Sequence, residues 1–273
     1  MKVEGMLVAI HQPQYLPWLG YFDKMLKADV FCYLDSVQYK KNEWQNRNRI
    51  KTAAGWQWLT VPVTYRYPQR IGEVGIDNRS DWARKHLQAM CTNYRRAPFF
   101  EKYFPAIEAL LSRRWESIAA LNLSLIECLR EILGIADKPA VQASRIKASD
   151  DPTDRLIDIC QSLGADSYLA GAGADGYMDL EKFRQRGIRV ATQDFQHPVY
   201  PQLYNGFQEQ LSIVDLIFNC GPDSAGIIRR RKEEGGSWKL EGGRGKEEKK
   251  VPKVTKMPKV HNPDKPEPKK FKS

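Results

Sequence analysis

Four polar clusters in this chain carry side chains able to move protons, orient amines or hold phosphate, and most follow a short apolar run. The first is His11-Gln12-Pro13-Gln14-Tyr15, an imidazole that titrates near neutrality beside two amides, with Pro13 and Pro17 stiffening the turn. Here His11 is placed as a general base, with Gln12, Gln14 and Tyr15 lining a substrate pocket. The second is Asp35 with Gln38, where a carboxylate can orient an amine or take its proton, although Asp-Ser is also ordinary turn chemistry. The third, Lys40 to Lys51, interleaves Asn46, Arg47, Asn48 and Arg49 with Trp44. Planar guanidinium forks suit phosphate, so Arg47, with Asn46 and Lys51, is expected to hold an anion. The fourth is Asp194 with His197, a possible oriented acid/base pair, followed by Gln202 on a loop stiffened by Pro198 and Pro201. A glycine-rich turn with Gly171, Gly173 and Tyr177 lets backbone amides approach a phosphate, but lacks the lysine of a P-loop. No metal, Ser-His-Asp or Cys-His constellation is supported by spacing, and no cofactor is identified.

The elements that must position these groups follow from patterning. Leu7 to Ile10 reads as a strand ending on His11, a helix begins near Trp18, and Val30 to Leu34 is a second strand ending before Asp35. Trp56 to Val63 reads as a strand. Three amphipathic helices follow, within 81–94, 97–112 and 115–133, as a helical insertion over about 80–135. Strand and helix then alternate: strands at 141–146, 167–169 and 188–191, helices opening at Asp151-Pro152 and Met178, and a last helix from Ser212 ended by Gly221-Pro222. This alternation predicts an α/β fold, a mostly parallel open sheet with helices on its faces. Ligands of such sheets bind outside the carboxyl ends of the strands, so His11, Asp35, Gly171 and Asp194 are expected to gather at one edge.

The net charge of +10 resembles a nucleic-acid footprint until it is located. Residues 229–273 hold 16 of the 43 basic and 7 of the 33 acidic side chains, which leaves 27 against 26 in the body. The body, a single domain over 1–230, is therefore almost neutral, and no specific nucleic acid is expected. The tail, 231–273, is rich in Lys, Glu, Gly and Pro; it is read as a disordered basic extension, at most a weak tether to an anionic membrane surface. Five widely spaced cysteines in apolar contexts fit reduced thiols in a cytoplasmic protein, with no CxxC pair and no membrane-length apolar run.

Long stretches of the sequence are similar to one family. HQPQYLPWLGYFDK, the block from LDSVQY to WQNRNRIK, WLTVPV, YPQLY and LSIVDLIFNCGP resemble the signatures of the WbqC-like proteins over roughly Leu7 to Ile228. One departure is that Ala170 to Asp175 stands where a Ser-Gly-Pro-Gly-Gly-Lys-like loop is expected, which removes a basic residue from that turn. The family occurs in bacterial O-antigen and other surface-polysaccharide loci. The resemblance thus implies an enzyme of surface-glycan biosynthesis; the residues suggest a phosphate-bearing sugar nucleotide as small-molecule substrate. The reaction expected is acyl or aminoacyl transfer to an amino sugar. Alternatives are nucleotidyl transfer or adenylate-forming ligation, suggested by the strand–His loop–helix layout although it lacks His-x-Gly-His, and a non-catalytic role in binding a glycan intermediate.

Overall fold

Strand β1 (Leu7–His11) is the hub of the molecule. In the computed structural model, which describes residues 5–171 and 178–229, it pairs in parallel with β2 (Val30–Tyr33) on one side and with β8 (Ser167–Ala170) on the other. β7 (Ala140–Gln142) and β9 (Arg189–Thr192) extend the two flanks, giving the order β7-β2-β1-β8-β9, parallel throughout. The α/β expectation holds. The chain moves outward from β1 through β2 to β7, then returns to the other side of β1 for β8 and β9. The strand order therefore reverses between β1 and β8, the topological switch point at which open parallel sheets bind ligands. His11, Asp35, Gly171 and Asp194 all lie at or just beyond the carboxyl ends of these parallel strands.

Side-chain alternation along the strands sends Ala9, Phe31, Tyr33 and Leu169 into a large core on one face. Val8, Ile10, Cys32 and Tyr168 enter a smaller core on the other. The large core is covered by α1 (Leu19–Lys27), the inserted helices α2 (Trp82–Tyr94), α3 (Phe100–Leu111) and α4 (Ile118–Ile132), and the late helices α7 (Ile213–Cys220) and α8 (Ser224–Arg229). The small core is covered by α5 (Pro152–Ser162) and α6 (Leu180–Gln185). α5 starts as its sequence dictates. Asp151 accepts from the backbone N–H of Thr153 and Asp154, and Pro152 occupies the first turn.

The polar block between Lys40 and Lys51 departs from expectation. Arg47–Thr52 is itself a strand, β3, paired antiparallel with β4 (Gly55–Thr60) in a hairpin outside the main sheet. Strand pairing puts Asn48 and Ile50 inward and Arg47 and Arg49 outward, so charge and amides at period two concealed a half-buried strand. A smaller hairpin joins β5 (Val63–Thr64) to β6 (Gly75–Ile76). Gly173, Tyr177 and the expected tail 231–273 lie outside the described residues.

Candidate functional site

At the switch point the sheet splits. β1 pairs with β8 only as far as Ala9 and Leu169, while β1 continues beside β2 to His11 and β8 continues beside β9 to Ala170. The carbonyl of Ile10 faces the opening, and the Nζ of Lys24 from α1 donates to it at 3.0 Å. The same ammonium lies 5.8 Å from the centre of the Tyr168 ring on β8. Lys24 is almost wholly buried, and among the described residues no carboxylate is paired with it. Burial accordingly pulls its pKa down to about 7.

His11 closes β1 above this seam, its ring edge-on to Tyr21 at 5.0 Å. Gln14 Nε2 lies 3.1 Å from His11 Nε2. With the amide in this orientation its N–H donates to that ring nitrogen, which leaves the imidazole proton to Nδ1. Burial, reinforced by the nearby Lys24 charge, lowers the His11 pKa to about 3. The imidazole is neutral throughout the physiological range, and its accepting lone pair is already taken. His11 is thus placed to hydrogen-bond, and a group with so low a pKa is a weak sink for a proton.

The loop leaving β1 is held by amides. Gln45 Nε2 donates to Gln12 Oε1 at 2.6 Å, and Asn122 of α4 donates to the carbonyls of Pro13 (3.2 Å) and Gln45 (2.7 Å). Asn48 donates to the carbonyls of Tyr15 (3.2 Å) and Leu16 (2.7 Å), the latter in the left-handed region at φ 43°. Asn46 donates to the Val61 carbonyl. Three buried amide oxygens of this mesh, Gln14 Oε1, Asn46 Oδ1 and Asn122 Oδ1, have no donor among the described residues. Lone pairs of this kind match hydroxyl or amine hydrogens of a ligand.

The other expected site residues are placed as follows. Asp35 is buried, with Oδ1 accepting from the Ser144 backbone (2.9 Å) and Oδ2 from the Ser144 hydroxyl (2.7 Å). It braces the end of β2 against the turn after β7 instead of standing free as a base. With Ser36, Arg70, Ser117 and Arg155 it lines a groove of about 630 Å³. Asp35→Ala is expected to lower stability by about 1–3 kcal/mol, the cost of leaving Ser144 without its acceptor, read as a shifted urea midpoint at unchanged slope. Gln38 is exposed and bridges to Arg70. Tyr15 is fully buried with its hydroxyl 2.8 Å from His86 Nδ1, and burial holds its pKa far above the ordinary phenol value. Gly171 is half-buried beside open space at the end of β8.

Asp194 and His197 do not form the expected pair. Asp194 is exposed, its main-chain oxygen accepting from Lys27. The His197 ring instead lies 3.0 Å from the Pro198 carbonyl, among Phe195, Tyr200 and Phe207. Lys51 does not present its ammonium to a ligand either. It is buried and donates to Gln202 Oε1 (3.0 Å) and to the Gly206 carbonyl. Gln202 in turn donates to Asp215, which also accepts from Tyr94 and Tyr200. Lys51 and Gln202 thus belong to an internal network.

Arg47 and Arg49 point outward from β3. The Arg47 guanidinium lies 4.2 Å from the centre of the Trp58 ring, and that of Arg49 lies 5.0 Å from Trp56 and 5.7 Å from both Trp44 and Trp58. Lys24 and Asn122 were legible as polar residues on otherwise apolar helical stripes, beside Tyr21 and Met25 and beside Ile118 and Leu125 respectively. Trp56 and Trp58 needed the hairpin register. Among the described residues no cluster of His, Cys, Asp and Glu is arranged to hold a metal ion, and no helix is long and apolar enough to cross a membrane.

The family model described as the WbqC-like protein family matches residues 12–227, from the loop after β1 to α8. The chain belongs to the WbqC-like family. It is also 38% identical over 226 residues to a protein of Mycobacterium tuberculosis (strain ATCC 25618 / H37Rv) described as uncharacterized, a match covering 81% of this chain and 97% of that one. No solved structure matches. Membership in the WbqC-like family suggests a role associated with glycan biosynthesis.

Proposed function

We propose that this WbqC-like protein is a cytoplasmic enzyme of surface-glycan assembly that acts on a phosphate-bearing amino sugar at the β1/β8 seam. The observation that carries this reading is the seam itself. A buried ammonium with no carboxylate partner among the described residues, a neutral imidazole and a loop with three amide oxygens that lack a donor among those residues adjoin the switch point of a parallel sheet. Lys24 attracts the phosphate, since a buried cation with no carboxylate beside it among the described residues gains most from an arriving anion. The amide oxygens accept from sugar hydroxyls and the amine. The reaction this favours is acyl or aminoacyl transfer: the amine attacks the donor carbonyl, a C–N bond forms, the bond to the leaving group breaks, and the leaving group departs with the amine's proton. His11 donates from Nδ1 to the oxygen on which charge develops.

The strand order supports a second reading, nucleotidyl transfer or adenylate formation, because nucleotides bind sheets of this order at the same crevice. A thermal-shift series with UDP-N-acetylglucosamine, UDP-glucosamine, ATP and coenzyme A separates the two. At a ligand concentration of 100 Kd the native state gains about 2.7 kcal/mol, or roughly 5–10 °C in a body of this size. A UDP-sugar shift is expected. ATP-dependent release of pyrophosphate establishes the second reading, and no shift with any of the four overturns the nucleotide-sugar assignment.

A further inference from the structure

The outward face of the β3–β4 hairpin has a composition of its own. Its positions are Arg47, Arg49 and Lys51 on β3 and Trp56, Trp58 and Thr60 on β4; Lys51 is buried by its bonds to Gln202 and Gly206, and Trp44 joins the others from the preceding loop. Trp56 is 44% and Trp58 37% exposed, large values for the side chains most costly to leave in water. The rings are canted, Trp56 against Trp58 at 80° and Trp44 against Trp58 at 49°, so they form a corner and not a flat plate. Arg47 is laid against Trp58, and Arg49 sits among all three indoles and donates to Gln210. Among the described residues neither guanidinium is ion-paired with a carboxylate, and the Nε of each lacks a partner. Exposed Lys40 and Lys41 precede them in the loop that leads to β3.

We propose that this face docks an anionic saccharide, the part of the glycan substrate that lies beyond the reacting sugar. The inference rests on the glycan reading above and extends it to a second subsite. An indole offers the flat, weakly hydrated surface that the C–H face of a pyranose covers. A guanidinium fixed by stacking keeps its fork pre-oriented for a carboxylate or phosphate. The composition argues against other occupants. A body with 27 basic against 26 acidic residues is nearly neutral, which disfavours the basic footprint that a nucleic-acid strand requires. The face is also tied to the crevice: the Trp44 carbonyl accepts from the Tyr15 backbone, and neighbouring Gln45 holds Gln12.

The test is tryptophan fluorescence of the full chain titrated with tetragalacturonate, maltotetraose and a dT12 oligonucleotide. The expected result is a salt-sensitive spectral change with tetragalacturonate, at least tenfold tighter than with maltotetraose. Trp56→Ala and Arg47→Ala are each expected to weaken tetragalacturonate binding at least tenfold. Trp56→Phe is expected to retain most of it, and circular dichroism to show unchanged folding. Equal affinity for the neutral sugar, tighter binding of dT12, or full binding by folded Trp56→Ala overturns the proposal. The UDP-sugar thermal shift of Trp56→Ala reports separately on the crevice. Its persistence alongside lost tetragalacturonate binding places the two ligands in two subsites, whereas tetragalacturonate binding without any UDP-sugar shift in the wild type removes only the crevice assignment.

Discussion

Asp215→Ala is expected to be the most damaging single substitution in the molecule, lowering stability by about 3–5 kcal/mol, since three buried donors lose their acceptor at once and each such loss costs about 1–3 kcal/mol. Asp215 has no exposed surface and gathers Tyr94 (2.9 Å), Tyr200 (2.8 Å) and Gln202 (2.8 Å), while Lys51 reaches the same network through Gln202. Removing the carboxylate leaves two phenols, an amide and an ammonium buried without it. The network joins α7, α2, β3 and the 200–208 loop, so no single element can relax to solvate them. At 2–4 °C per kcal/mol the melting point falls by about 6–20 °C. Asp215→Asn keeps one acceptor and loses less.

The pH dependence gives an independent check. Burial raises the Asp215 pKa from 3.8 to about 6, against the hydrogen bonds from Tyr200 and Tyr94 and the Lys51 charge. A carboxyl whose folded pKa is raised contributes stability that is complete below 3.8 and is lost as pH rises through 6. His11 and His86, lowered by burial to about 3 and 4, have the opposite sense: their contribution is present above 6.5 and lost as pH falls through those values. Subtracting the Asn variant's stability from the wild type's cancels the histidines. That difference is expected to be largest near pH 4 and to shrink by pH 7; a flat difference contradicts the assignment.

Most of the sheet was legible because its strands are short apolar runs and its helices carry local start and stop signals. Asp151-Pro152 opens α5, Ser212 caps α7 and Gly221 ends it. The placing of His11 at the end of β1 followed from the same run. What failed was reading polarity as exposure. Lys51, Asn46, Asn48 and Gln45 look like a recognition loop, yet all are buried, because their hydrogen bonds are closed by partners as distant as Gln202 and Gly206. Asp35 was ambiguous between turn and base because the deciding partner, Ser144, lies 109 residues away. The same error applies to Lys24: its place beside the buried Tyr21 and Met25 is legible, but a lysine on such a stripe passes for a residue reaching back to water.

Lys24→Met is expected to raise the melting point while abolishing the response to UDP-sugars. Burial lowers the Lys24 pKa from 10.5 to about 7, which corresponds to about 4–5 kcal/mol of disfavoured protonation. Methionine fills similar space without the charge, but leaves the Ile10 carbonyl without its donor at a cost of about 1–3 kcal/mol. The charge cost is the larger, so a net gain of roughly 1–3 kcal/mol is expected near neutral pH. A lysine with a depressed pKa contributes stability that is present above 10.5 and lost as pH falls through 7. The variant's advantage should therefore be absent at pH 10.5, grow towards pH 7 and level off below it. A destabilising ammonium retained at the switch point of the sheet is the pattern of stability exchanged for function, and the ligand readout decides whether it is one. A variant that is more stable and blind to UDP-sugars fits an anion-binding lysine. A more stable variant with an undiminished shift makes Lys24 a misfit in the core, and a less stable one at pH 7 shows that its bond to Ile10 outweighs the burial of its charge.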